Sequence, residues 1–199
     1  MSAATFEQDW ARLAQRMRGC TACPELAETR QHVVVGEVPP GARLLFVGEA
    51  PGASEDEQGR PFVGKAGQVL NEALAAAGVP RAEVGVANVL KCRPPSNRRP
   101  TPDEIGRCRG WLDAQLDLTG PELIVPLGLT AIGWFLQPRE GRPRKLVLRD
   151  VRGRVHEVEN RKVLPTYHPS GALRYGPNGE PMQALRADVA LAASLAFRS

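Results

Sequence analysis

The sequence predicts an α/β fold, a parallel sheet with helices on both faces, and three observations carry that expectation. Four short apolar runs, Leu44–Val47, Val84–Leu90, Leu123–Leu127 and Val163–Tyr167, have the length and composition of buried strands. Between them lie Gly64–Ala77, Pro102–Leu118 and Leu129–Leu136, whose apolar residues recur at helical spacing. A chain of 199 residues with 42% hydrophobic content can bury one substantial core, so a single domain over residues 1–199 is expected. Strands that alternate with helices pair in parallel, because each crossover helix returns the chain to the same end of the sheet.

Taken in order, the N-terminal MSAATFEQDWARLAQRM reads as an amphipathic helix that carries acids and does not resemble a secretory signal. No apolar run approaches the ~18 residues of a membrane span, so a cytoplasmic protein is expected. Thr101 is placed to cap the helix that Pro102 opens, since proline fits the first turn, where its missing N–H costs nothing. Lys145–Val158 reads as a hairpin turned by Arg152-Gly153 before the last strand, and Met182–Phe197 as a closing helix. In such sheets ligands bind beyond the carboxyl ends of the strands. The motifs that carry chemistry follow those ends. A formal charge of +4 favours a polyanionic partner.

Cys20 and Cys23 form a CxxC in a polar turn, while Cys92 follows a strand and Cys108 falls inside a helix. In a reducing compartment four such residues point to metal ligation before disulfides. Four thiolates suit either an iron–sulfur cluster or tetrahedral zinc, and spacing alone does not choose between them. Either group would staple the N-terminal helix to the loop after the second strand.

The stretch LLFVGEAPGASEDEQGRPFVGKAG, from Leu44 to Gly67, is the most informative. Glycine permits tight turns and Pro51 fixes one dihedral, so backbone amides around Ala50 and Gly52 can point into a pocket. Glu49, Glu55 and Asp56 follow closely. Gly59 to Ala66 imitates a phosphate-binding loop, but Ala66 stands where a Ser or Thr must ligate magnesium, and Pro61 and Phe62 crowd the turn. A nucleotide-triphosphatase is therefore excluded.

In chain order GEAPG, ED, GRPFVGKAG, NVLKCRPP and YHPSGALR, with the four cysteines, resemble family 4 uracil-DNA glycosylase over most of the chain from Cys20 to Arg174. The resemblance implies a three-layer α/β/α sandwich with a central four-stranded parallel sheet. It implies a 4Fe-4S cluster on Cys20, Cys23, Cys92 and Cys108, and excision of uracil from DNA. A base inside a duplex must be flipped outward into a pocket. Phe62 is suited to stack on it. Asn88, on the family's uracil-reading position, can accept from uracil N3–H and donate to O4, a pattern that cytosine opposes. Cleavage leaves a uracil anion and a cationic sugar. His168, at a strand end before Pro169, can donate to uracil O2 as charge collects there. Glu49 is the first choice to position water or stabilise the sugar. Glu55 and Asp56 remain alternatives, since Ala50 occupies the place of the aspartate that other uracil-DNA glycosylases use. Glu55 could also close the pocket against a thymine methyl, with Asp56 orienting the loop. His32 and His156 are read as surface residues.

Lys65, Lys91, Arg93, Arg98, Arg99 and Arg174 flank the motif loops and could hold phosphates, and Leu173 could fill the gap left by the flipped base. Ser170 departs from the alanine expected after the proline in this family. Related proteins that trap uracil-DNA covalently use a histidine in a basic loop, and the corresponding Arg93 to Arg107 holds none. A third class, an iron–sulfur electron carrier or zinc-dependent DNA-binding module without catalysis, would leave Asn88 and His168 without work. The expected partner is uracil-containing DNA, single- or double-stranded, bound by a monomer with no membrane involved.

Overall fold

The structure is a computed structural model that describes residues 2–139 and 144–197. Strands β1 (Leu44–Gly48), β2 (Gly85–Asn88), β3 (Leu123–Pro126), β4 (His156–Val158) and β5 (Arg161–Val163) form one sheet in the order β2-β1-β3-β5-β4. The first four in that order are mutually parallel, and β4 is added antiparallel to β5 at the edge. The expected four-stranded parallel sheet is therefore present, with a fifth strand beside it.

All residues of β1, β2 and β3 are buried, as a sheet covered on both faces requires. Strand alternation divides β1 between two cores. Leu45 and Val47 pack towards α1 (Ala3–Arg18), α5 (Pro102–Thr119) and α6 (Gly128–Leu136), joined by Leu13, Met17, Leu112, Leu116 and Trp134. Leu44 and Phe46 face α4 (Lys65–Ala76) and α9 (Glu180–Phe197), with Leu70, Leu74, Leu185 and Val189. Four shorter helices, α2 (Pro24–Thr29), α3 (Ala53–Gln58), α7 (Leu148–Val151) and α8 (Pro169–Leu173), sit in connections that the sequence reads as loops or as hairpin. They are too brief for a periodic signal.

The helix starts follow local chemistry. Thr101 caps α5 as expected: its hydroxyl accepts from Glu104 N–H at 3.2 Å, and the Glu104 carboxylate accepts from Thr101 N–H at 2.8 Å. The predicted hairpin is displaced. Its turn is Glu159-Asn160, both with positive φ (48° and 63°), between β4 and β5, while Arg152-Gly153 ends α7. A two-residue turn with both φ positive matches the twist of the strands it joins. The last parallel strand accordingly ends at Val163, and Thr166 makes only an isolated bridge to Leu127. Asp188 of α9 secures this exit, accepting from Thr166 Oγ1 at 2.6 Å and Arg152 Nε at 2.9 Å.

Replacing Thr101 with Ala should remove about 1 kcal/mol of stability, seen as a lower denaturant midpoint with an unchanged slope. An unchanged midpoint would show that the cap contributes nothing.

Candidate active site

Parallel register places the ends of β1 and β2 side by side, with Gly48 opposite Asn88. Beyond them opens a cleft of about 510 Å³, within the usual size for a small ligand. Its walls come from separate strand ends: Glu49, Ala50 and Gly52 after β1, Asn88 at the end of β2, Leu127 to Thr130 after β3, and His168 after β5, with Glu55 and Phe62 closing one side. Arg99 and Arg174 lie at its edges.

Asn88 is buried, and its side-chain amide has no hydrogen-bond partner among the described residues. An amide held in a cleft without a protein partner is available to a ligand. Its oxygen lies so close to Gly48 that a Cβ there would stand 2.4 Å from it and 2.7 Å from the Phe62 ring. Glycine at 48 thus gives both groups their room. Phe62 has φ 53°, a conformation that bulky residues avoid. Gly67 permits it, since a Cβ there would collide with the Phe62 carbonyl at 1.8 Å.

Glu55 holds the same turn from within. One carboxylate oxygen accepts from Val63 and Gly64 N–H at 2.9 and 2.7 Å, and the other from Gly52 N–H at 3.1 Å. Three amides occupy the Glu55 carboxylate, which joins the loop after β1 to the Phe62 turn and lies on the cleft wall. Asp56 is fully buried and outside the cleft, accepting from Gln31 and His32 N–H at 3.0 and 3.2 Å. It orients the N-terminal segment and has no access to an attacking water. Of the three acids, Glu49 alone combines a place on the cleft with a carboxylate outside backbone bonding. The Thr130 hydroxyl donates to it.

His168 caps α8. Its Nδ1 accepts from Ser170 N–H at 3.2 Å and lies 2.7 Å from Ser170 Oγ. With Nδ1 accepting, the neutral ring carries its proton on Nε2. Surrounding protein desolvates the imidazole and lowers its pKa to about 4, against a smaller opposing pull from Glu55. The ring is therefore neutral at pH 7, a donor through Nε2–H without positive charge. It faces Phe62, with ring centroids 6.2 Å apart.

The four cysteines line one small cavity, with Met17, Leu26, Val33 and Leu90 as apolar lining. Among the described residues, no three metal-binding side chains gather as a single ion would need. The thiols instead surround a volume. Arg30 Nη1 donates to Cys92 Sγ at 3.1 Å and Trp111 Nε1 to Cys20 Sγ at 3.4 Å. Burial raises the pKa of Cys23 and Cys92, and raises Cys108 to about 11.

The cationic side chains divide. Lys65 is exposed at the start of α4, Arg99 and Arg174 are exposed at the cleft, and Leu173 is 40% exposed at the end of α8. Arg98 is engaged by Glu104 and Glu25 at 2.7 and 2.9 Å, and Arg93 donates to Asn97. Lys91 overturns its expected role: it is 1% exposed, and its ammonium donates to the Asn88 carbonyl and Gln115 inside the protein. A buried lysine cannot reach a phosphate. His32 is exposed, as expected, and its Nδ1 lies 2.6 Å from the Asp56 carbonyl oxygen. Half-buried His156 places Nε2 2.8 Å from the Val151 carbonyl oxygen. Sequence reasoning missed Thr130 and Gln115. Thr130 follows the end of β3, the position where ligands gather in such sheets, whereas Gln115 gives no signal within a helix.

Because burial lowers the His168 pKa below its ordinary 6.5, its neutral form favours the folded state. That contribution is complete above pH 6.5 and is lost as pH falls towards 4. An NMR titration of the ring should find its midpoint near 4 and no transition at 6.5. A midpoint at 6.5 would show a solvated ring.

The uracil DNA glycosylase superfamily model matches residues 35–190, which include every cleft residue named above. Similar proteins include a type-4 uracil-DNA glycosylase of Thermotoga maritima, 45% identical over 83% of this chain and 84% of the relative. Another, from Pyrobaculum aerophilum, is 41% identical over 83% and 85%. A third, from Sulfurisphaera tokodaii, is 40% identical over 84% and 76%. With a match spanning most of its length and a cleft built where the strands end, the chain belongs to the uracil DNA glycosylase superfamily, among its type-4 members.

Proposed function

We propose that this protein hydrolyses the N-glycosidic bond of uracil in DNA, flipping the nucleotide into the cleft and leaving an abasic site. The observation that carries the reading is the unpartnered amide of Asn88 beside the Phe62 ring and opposite a neutral His168. A flipped pyrimidine stacks on Phe62, and stacking of this kind contributes ~1–3 kcal/mol. Asn88 accepts from N3–H and donates to O4. Cytosine would set donor against donor at that edge and leave buried groups unpaired, a strong basis for rejection.

As the glycosidic bond breaks, negative charge gathers on the base. His168 Nε2–H is a preorganised donor for it, and a donor of this type contributes roughly 3 kcal/mol. A neutral imidazole remains a donor throughout the physiological range, so no protonation step is required before cleavage. Glu49, oriented by Thr130, supplies the negative partner for the sugar and a place for the attacking water. Exposed Leu173 enters the stack where the base has left, and Arg174 and Lys65 meet the phosphates.

Cys20, Cys23, Cys92 and Cys108 would hold a 4Fe-4S cluster. The support is the donor set: four thiols around one apolar cavity, with Arg30 and Trp111 donating to two of the sulfurs. When bound, the group crosslinks α1, the β2 exit and α5, a structural task away from the cleft. Thiolate ligands need a reducing compartment, which supports a cytoplasmic protein. A single domain acting as a monomer suffices, because one chain supplies every wall of the cleft.

Incubation with duplexes containing uracil, hypoxanthine or a thymine mismatch, followed by alkaline cleavage, should break only strands in which a base was removed, the uracil strand first among them. Intact uracil strands would refute the activity. Asn88→Ala should abolish excision while visible absorbance and affinity for DNA persist, and unchanged excision would remove Asn88 from the site. Cys92→Ala should lose the brown colour together with stability. A colourless but fully stable wild type would contradict the cluster.

A further inference from the structure

Lys91 is the one lysine that is fully buried among the described residues, and the reaction above gives it no task. Burying an ammonium is costly unless its protons are placed on acceptors. Here Nζ donates to the Asn88 carbonyl at 2.7 Å and to Gln115 Oε1 at 2.5 Å. Gln115, itself 1% exposed, donates through Nε2 to the Val35 carbonyl at 2.8 Å. The Lys91 main chain is also engaged: its carbonyl accepts from Val34 N–H at 2.7 Å. The residue therefore stands between the cysteine-lined cavity, which it helps to line, and the end of β2, to which its ammonium is bonded.

We propose that Lys91 is a positioning residue for base recognition: its ammonium, braced by Gln115, fixes the Asn88 carbonyl and thereby aims the Asn88 amide into the cleft. This rests on the reading of Asn88 as the group that binds uracil. The need for such a fixture is visible in the crowding at Gly48, where the Asn88 oxygen and the Phe62 ring share a space too small for one methyl group. The Asn88 side chain has no protein partner to hold it, so its aim depends on its own backbone. At the carboxyl end of β2 the Asn88 carbonyl accepts from Lys91 Nζ, a side-chain donor in place of a strand partner. The same short segment, Asn88 to Cys92, carries a cluster ligand at its far end. Positioning by Lys91 thus ties the reading amide to a residue that lines the cysteine cavity.

The test compares Lys91→Met, which keeps an unbranched side chain one heavy atom shorter and loses the donor, with Lys91→Arg, Gln115→Leu and Asn88→Ala in the cluster-loaded protein. Four readouts are needed: visible absorbance, thermal unfolding, affinity for uracil-free duplex, and single-turnover excision. The Asn88 side-chain amide resonances are followed alongside by NMR. Lys91→Met should retain visible absorbance and duplex affinity while single-turnover excision falls about 100-fold, the scale of an ångström of misplacement, and the Asn88 amide resonances shift or broaden. Gln115→Leu, which keeps the ammonium and loses its brace, should fall less, and Lys91→Arg should recover part of the loss. Should Lys91→Met not fold, the Gln115→Leu rate and resonances decide the question. Wild-type excision and unmoved Asn88 resonances in a folded Lys91→Met, or in Gln115→Leu when Lys91→Met does not fold, would overturn the proposal. So would a loss of stability with no other change. Asn88→Ala separates the two readings: if it excises uracil normally, the assignment of Asn88 falls, whereas an inactive Asn88→Ala beside a fully active Lys91→Met removes only Lys91.

Discussion

Parallel pairing of β1 with β2 is the constraint on which the site depends. It ends the two strands at one level and sets Gly48 against Asn88. Because residue 48 has no side chain, the space above it is shared by an amide and an aromatic ring that would otherwise exclude each other. A register slip of one residue would turn every strand side chain to the opposite core. The interleaved cores of Leu45 and Val47 on one face, Leu44 and Phe46 on the other, hold that register firmly.

From this arrangement the loops inherit their tasks. Phe62 is kept in a left-handed backbone conformation, and three amides around it converge on the Glu55 carboxylate. The Glu55 carboxylate thereby braces the chain that presents the ring. Glu49 is the cleft carboxylate outside backbone bonding, held by a threonine from a different strand end. His168 is kept neutral by desolvation and oriented by the backbone of its own helix start. Each of these cleft groups is thus held in place by a second group beside it.

The cysteine cavity lies beside α1, the β2 exit and α5. Its cysteines come from three parts of the chain that the sheet alone would not fasten together. Asn88 and Cys92 are four residues apart, so the proposed fastening and the proposed recognition share one stretch of backbone.

The sequence by itself determined the alternation of strands and helices, the cap at Thr101, the order of the motif loops and the residues that would meet at the strand ends. These follow from local periodicity and from the rule that parallel strands deliver their carboxyl ends to one side. Tertiary structure alone decided which charges face outward. Lys91 and Arg98 look alike in sequence as basic loop residues, yet one is enclosed with Gln115 and the other is held by Glu104 and Glu25. Glu49, Glu55 and Asp56 likewise share a composition and not a fate, because burial and hydrogen-bond partners arise from segments distant in the chain. The hairpin turn at Glu159-Asn160 was also a tertiary choice: the strand that β5 must pair with, β3, sets where the edge ribbon can fold back.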